Sequence, residues 1–292
     1  MVIAMSEPSF GIFVTPGNRR SAYICQAMRE GLQALKVKHS FQLSTKTIDH
    51  YPDVAIFYGL SGPLRSMFQQ YCEDPRKTAV YIDLGYWGRR LGGKYAGYHK
   101  IAINCRHPLG YFQRVKHRTD RFSRFQIPLK PWRKNGEHIL LAGMGPKAAS
   151  VIGQTPGAWE RNAVKAIRQY TDRPIIYRPK PNYYMARPVP GAVMRRDAEM
   201  PLDRAFANCW AVVSHHSNVC VDALIAGVPV FCADGLALAQ GLPFDEISRI
   251  EDPIMPADRL QFLADVGYVQ WNANEMRSGA AWRHLRREGL AP

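Results

Sequence analysis

Acidic residues are scarce in this chain: 24 Asp and Glu face 39 Lys and Arg over 292 residues, a formal charge of +15 at pH 7. An excess of that size suits a phosphate-bearing partner or substrate. Long apolar runs are missing too. No stretch of about 18 uncharged apolar residues occurs, which excludes a membrane-spanning helix. The opening MVIAMSEPSF lacks the basic-then-apolar layout of an export signal, so the expectation is a soluble, cytoplasmic protein. CxxC spacing is absent among the six cysteines, 25, 72, 105, 209, 220 and 232. Several stand in apolar, strand-like contexts, and reduced core thiols are expected in place of disulfides or zinc ligands. Solenoid-length repeats and low-complexity tracts are also missing.

What the chain does have is alternation. FGIFVT reads as a strand, PGNRR as a turn and SAYICQAMREGLQAL as an amphipathic helix. YPDVAIFYG, TAVYIDLGYW and YHKIAIN read as further strands, and SGPLRSMFQQYC as a helix whose serine is placed to cap it. The second half repeats the pattern: HILLAGMG, RPIIYRPKP, WAVVS and VPVFC as strands, with TPGAWERNAVKAIRQYT, MPLDRAFANC and NVCVDALIAG as helices between them. Two terminal helices, PADRLQFLADVGYVQW and NANEMRSGAAWRHLRREG, close the chain, the second opened by an asparagine cap. Such alternation predicts an α/β protein of parallel sheets. Two Rossmann-like domains facing a cleft are expected, at residues 1–130 and 131–292, with the terminal helices in the second. The proline- and arginine-rich stretch 105–135 is the expected crossing between them.

In open parallel sheets, ligands lie outside the carboxyl ends of the strands. Gly143 and Gly145 follow one strand there, Arg178 and Lys180 a second, and SHHSN, with His216, Ser217 and Asn218, a third. Cations and helix amides suit a diphosphate, and Asp222, one helical turn further on, suits the two hydroxyls of a ribose. A nucleotide site is expected from this set. His215 and His216 point different ways as neighbours and have no third ligand at diagnostic spacing, so no metal site is expected.

Those residues also carry a resemblance. RPKP followed by VVSHHSNVCVDALIAGVPVFCADGLA resembles the nucleotide-sugar-binding half of GT-B glycosyltransferases, above all those that build bacterial surface polysaccharides. LADVGYVQWNANEMRSGAAWRHL, with YIDLGYWGRR, looks like a set of phage- and prophage-encoded proteins of the same general kind. Two departures stand out: the surface-polysaccharide enzymes usually have Glu in place of Asp222 and a His-Pro in place of Lys180-Pro181. The resemblance implies a nucleotide-sugar donor, a UDP-sugar foremost, and transfer that requires no bound metal.

Transfer also needs a base for the acceptor hydroxyl. Asp83, at the end of VYID, is the first candidate, ahead of His99 and His107. Residues 86–134 hold thirteen Lys and Arg against one acid, Asp120, interleaved with aromatics such as Tyr86, Trp87, Tyr111, Phe112 and Phe122. That mixture suits a phosphate backbone and unstacked bases. Arg89, Arg90, Lys100, Arg118, Arg121 and Arg124 are the expected nucleic-acid contacts, and DNA carrying a hydroxymethylated pyrimidine the first expected acceptor. A surface glycan is the second, and a non-catalytic nucleic-acid-binding protein the third reading. Nothing in the sequence specifies an oligomeric state.

Overall fold

A computed structural model describes residues 7–44 and 51–292. Residues 1–6, where part of the export-signal reading falls, lie outside them. The chain forms two compact units: 1–108 joined by 266–292, and 109–265.

Unit 1 begins with β1 (Phe10–Val14), α1 (Arg19–Ala34), β2 (Ser40–Leu43), β3 (Val54–Tyr58), α2 (Pro63–Glu73), β4 (Thr78–Leu84) and β5 (His99–Ile103). Unit 2 follows with α3 (Leu109–Arg114), α4 (Asp120–Ser123), β6 (His138–Ala142), α5 (Pro146–Val151), α6 (Ala158–Ile167), β7 (Ile175–Arg178) and β8 (Val193–Met194). It continues through α7 (Leu202–Phe206), β9 (Cys209–Ser214), α8 (Val219–Ile225), β10 (Val230–Cys232), β11 (Leu242–Pro243) and α9 (Arg259–Gly267). The chain then returns to unit 1 as β12 (Gln270–Trp271), α10 (Ala273–Arg277) and α11 (Ala280–Arg287).

In unit 2 the described strands form one sheet in the order β8-β7-β6-β9-β10-β11, with every described pairing parallel. Counted within the unit this is 3-2-1-4-5-6, the Rossmann order, and the winding reverses between β6 and β9. In unit 1 the order is β2-β1-β3-β4-β5-β12, doubly wound from a reversal between β1 and β3. The sheet is parallel from β2 through β4, as expected, but β5 runs antiparallel to β4, and β12 antiparallel to β5. Residues 85–98 contain no helix to carry a crossover, so the chain doubles back beside β4.

The domain boundaries also differ from 130/131. Residues 109–135 belong with unit 2 because its side chains hold them there. Arg259, 6% exposed, donates to the Leu224 and Lys130 carbonyls at 2.5 and 2.8 Å and lies 3.9 Å over the Trp132 ring. The Asp265 carboxylate accepts the His117 amide at 2.6 Å. The terminal helices complete the unit 1 core instead. Met276, Trp282 and Leu285 pack into the cluster of Phe10, Ile12 and Ile56, with Trp282 edge-on to Phe10 at 5.5 Å. A Cβ on Gly31 of α1 would stand 2.1 Å from the Met276 carbonyl oxygen, so only glycine lets α10 approach.

Smaller expectations also meet the structure. The asparagine cap is present as a full capping box, Asn272 with Glu275, but the helix it opens breaks at Gly279, φ +71°, into α10 and α11. Ser61 does not cap α2, whose N-cap is Gly62 without a side-chain bond. Cys25, Cys209, Cys220 and Cys232 are buried free thiols, Cys105 is half-buried, and Cys72 is exposed. Among the described residues no helix is long and apolar enough to cross a membrane.

Candidate functional site

Register brings the expected donor residues to one edge of unit 2. Ala142 pairs with both Arg178 and Ser214, and Ser214 with Cys232, so the loops after β6, β7, β9 and β10 leave the sheet side by side. Hydrogen bonds tie them together. The Gly143 amide donates to the Arg178 carbonyl at 3.0 Å, and the Ser214 hydroxyl donates to the Ala142 carbonyl at 3.1 Å. Gly143 is required, since a Cβ there would meet the Tyr177 ring at 2.6 Å. Gly145 is not: its φ is −92°, and a Cβ would only touch the Lys180 stem at 3.5 Å, which shows that Lys180 lies across this turn.

Arg178 and Asp222 are brought together, though not as an open phosphate clamp. Arg178 is 6% exposed; its Nη2 bonds the Asp197 carboxylate, and its Nε donates to the Met200 carbonyl at 3.3 Å. Burial lowers the pKa of its guanidinium, while the nearby charge of Asp222 acts the other way. Arg178 is thus engaged with Asp197 and the Met200 carbonyl at this edge, with Asp222 near enough to feel its charge. Lys180 is exposed beside it. The turn after β9 also uses part of what was expected to face a ligand. The Ser217 amide donates to the Ser214 hydroxyl at 3.2 Å and the Val219 amide to the Ser217 hydroxyl at 3.3 Å. Asn218 has helical dihedrals and makes no side-chain cap bond. The His216 and His215 rings meet edge-on, Nδ1 to Nδ1 at 2.8 Å.

One organising residue escaped the sequence reading. Glu160, 1% exposed, accepts the Met144 amide at 2.7 Å and so fixes the Gly143-Met144-Gly145 turn. A buried acid in the first turn of an otherwise apolar helix face was the available signal.

Unit 1 places Asp83 at the carboxyl end of β4, half-buried. Its Oδ2 accepts the Tyr81 hydroxyl at 2.7 Å and its Oδ1 the Leu84 amide at 2.8 Å. Tyr58 hydrogen-bonds both Asp83 and Arg20. Burial first, and the Asp83 charge second, raise the pKa of both phenols, keeping them protonated donors. His99 is fully buried, with Nδ1 donating to the Gly97 carbonyl at 2.8 Å; burial lowers its pKa to about 4, so the ring is neutral at pH 7. His107 has its Nδ1 3.5 Å from the Lys100 ammonium.

The expected nucleic-acid contacts divide between the units and differ in exposure. Lys100 and Arg121 are buried, 4% and 8% exposed, and Lys100 donates to the Arg106 carbonyl at 2.8 Å. Arg89 donates to the carbonyls of Gly85 and Tyr86 at 2.6 and 2.8 Å. Arg90, Arg118 and Arg124 are exposed, but Arg124 pairs with Asp120, and the first belongs to unit 1 while the other two belong to unit 2. Tyr86, Trp87, Tyr111, Phe112 and Phe122 are core residues. The aromatics of 86–134 thus serve internal packing, as do Lys100 and Arg121, while cations such as Arg90, Lys116, Arg118 and Lys134 stay exposed.

No protein-family model matches this chain, and no curated protein sequence does. Solved structures do. The chain is similar to a β-Kdo 2,7 transferase, KpsC of Thermosulfurimonas dismutans, at 14% identity and TM-score 0.50 over 94% of this chain and 99% of that one. A β-Kdo 2,4 transferase of the same organism and name aligns at 14% identity and TM-score 0.49, over 88% and 90% of the two chains. At such identities the likeness shows architecture. The chain has the two-unit α/β fold of the GT-B glycosyltransferases.

Proposed function

We propose that this protein is a glycosyltransferase, which moves a sugar from a nucleotide-activated donor held at the carboxyl edge of unit 2 to a hydroxyl on an acceptor served by unit 1. The observation that carries this is the winding reversal between β6 and β9, where Gly143, Lys180, His216, Ser217 and the Arg178–Asp222 pair gather outside the strand ends. A sugar transferase of the same fold supports transfer as the reaction class.

The roles follow from the side chains. Asp222, one turn into α8 and balanced by Arg178, receives the ribose hydroxyls. Lys180, exposed across the Gly145 turn, meets the phosphates and stabilises the charge that develops as the sugar–phosphate bond breaks. Positive charge at the leaving group comes from the protein in this reading, so metal-independent transfer is part of the proposal. Asp83 takes the proton of the acceptor hydroxyl as that oxygen attacks the sugar. UDP-sugars are the donors to try first. The acceptor is a glycan hydroxyl: a sugar transferase of the same fold supports it, and Lys100, Arg121 and Arg89, three of the six cations that favoured a DNA duplex, are buried or bonded internally.

Calorimetric titration with UDP and UDP-sugars tests the donor site. Lys180→Ala and Asp222→Ala should each weaken binding by about 1–3 kcal/mol, the worth of a charge-assisted hydrogen bond. Unchanged affinity in both variants would remove the assignment.

A further inference from the structure

Unit 1 carries a concavity of its own. It is an open depression of about 650 Å³ beside the start of α1, lined by Asn18, Arg19, Arg20, Lys94 and Tyr95 among others. Its charge has one sign. None of Arg19, Arg20 and Lys94 makes an ion pair with a carboxylate among the described residues, whereas Arg277, stacked on Tyr23 at 4.8 Å, pairs with Glu30 at 3.1 Å. The Arg20 guanidinium and the Lys94 ammonium lie 5.3 and 5.5 Å from the centroid of the same Tyr95 ring. Two cations are thereby kept at one wall of the depression in spite of their mutual repulsion.

The helix end itself does not make this site, because Asn18 Oδ1 already accepts the Arg20 and Ser21 amides, each at 3.1 Å. The side chains make it. Arg20 keeps donors to spare: beside its bond with Tyr58, its Nη2 reaches the Lys94 carbonyl at 3.4 Å, and no acceptor among the described residues meets its Nε. It is also connected to the candidate base, since Tyr58 hydrogen-bonds both Arg20 and Asp83.

We propose that this depression is an acceptor subsite for an anionic group, a carboxylate or phosphate carried by the acceptor sugar, held by Arg19, Arg20 and Lys94 while a hydroxyl of the same sugar is presented toward Asp83. The proposal rests on the assignment of unit 1 to the acceptor. It adds a requirement that this assignment lacks: the acceptor is acidic. Guanidinium and ammonium groups without internal counter-ions bind such oxygens through charge-assisted hydrogen bonds, about twice as strong as neutral ones.

The test is calorimetry on the full chain with three oligosaccharides identical except for the terminal residue: glucuronate, glucose 6-phosphate and glucose. The expected result is at least about tenfold tighter binding of one or both acidic ligands than of the neutral one, with the stronger of the two identifying the anion. An Arg19→Gln/Lys94→Gln double variant should lose that preference and keep its affinity for UDP. Equal affinities for acidic and neutral ligands would overturn the proposal, as would a preference that survives in the double variant. Inorganic phosphate or duplex DNA displacing the acidic sugar at lower concentration would overturn the sugar as ligand. A wild-type chain that keeps the acidic preference but binds no nucleotide would refute the donor site while the anion subsite stands.

Discussion

The two units share one plan, a doubly wound sheet with a winding reversal, yet they arm the ends of their strands differently. At the unit 2 edge the cation nearest the crevice, Arg178, is matched by Asp197 and Asp222, and the neighbouring turn is built of glycines, serines and histidines. At the unit 1 edge Asp83 is held by the phenols of Tyr58 and Tyr81, and Arg19, Arg20 and Lys94 have no carboxylate partners among the described residues. A balanced, small-residue edge admits a ligand that carries its own phosphates and ribose close to the backbone. An edge with a carboxylate and unmatched cations suits a ligand that must lose a proton and bring a negative charge. Shared topology thus gives each unit a crevice edge, and the difference in charge is what the proposed division into donor and acceptor rests on.

The largest effect should come from the carboxylate. Asp83→Asn keeps the shape and removes the proposed base, so turnover should fall by about 10²–10⁴-fold with donor affinity unchanged. Near-normal turnover in a steady-state assay would erase the chemical distinction between the edges.

The comparison also requires that the terminal helices belong to unit 1. Trp282, 2% exposed and edge-on to Phe10, links the last helix to the first strand. Trp282→Ala should lower the stability of unit 1 by about 3–5 kcal/mol. Denaturant unfolding followed by hydrogen exchange should show unit 1 opening first, and loss of unit 2 protection instead would place the tail wrongly.

A pH effect of somewhat smaller size sharpens the contrast. In folded unit 1, burial holds His99 at about 4 against an ordinary 6.5. The unfolded chain therefore binds a proton that the folded ring refuses. Stability is full above about pH 6.5 and declines as pH falls toward 4, by roughly 3 kcal/mol in all. Burial shifts His138 of unit 2 in the same direction, so its contribution has the same sign. Urea midpoints against pH for wild type and His99→Gln separate the two, and identical slopes would deny His99 its part.

Much of this was legible in the sequence where periodicity was strong. WAVVS and RPIIYRPKP became β9 and β7, and the residues after them share an edge as expected, because strand ends in a parallel sheet are set by local pattern. Short pieces escaped: β2, β8 and β11 carry too few residues to show alternation, and α5 is a single short turn after Gly145. The return of the tail to unit 1 was hidden because Trp271, Met276 and Trp282 read as apolar residues of any core. Arg178 and Lys100 show the limit in charge. Side-chain type announces a cation, but only packing decides whether its partner is Asp197, the Arg106 carbonyl or a ligand.

The division of labour is tested most directly by hydrogen–deuterium exchange of the full chain with and without a saturating UDP-sugar. The expected result is protection confined to unit 2, in segments 143–145, 178–180 and 214–222, with the segments around residues 15–20 and 83–98 unchanged. Protection that appears in those unit 1 segments and not at the unit 2 edge would contradict the assignment of donor and acceptor.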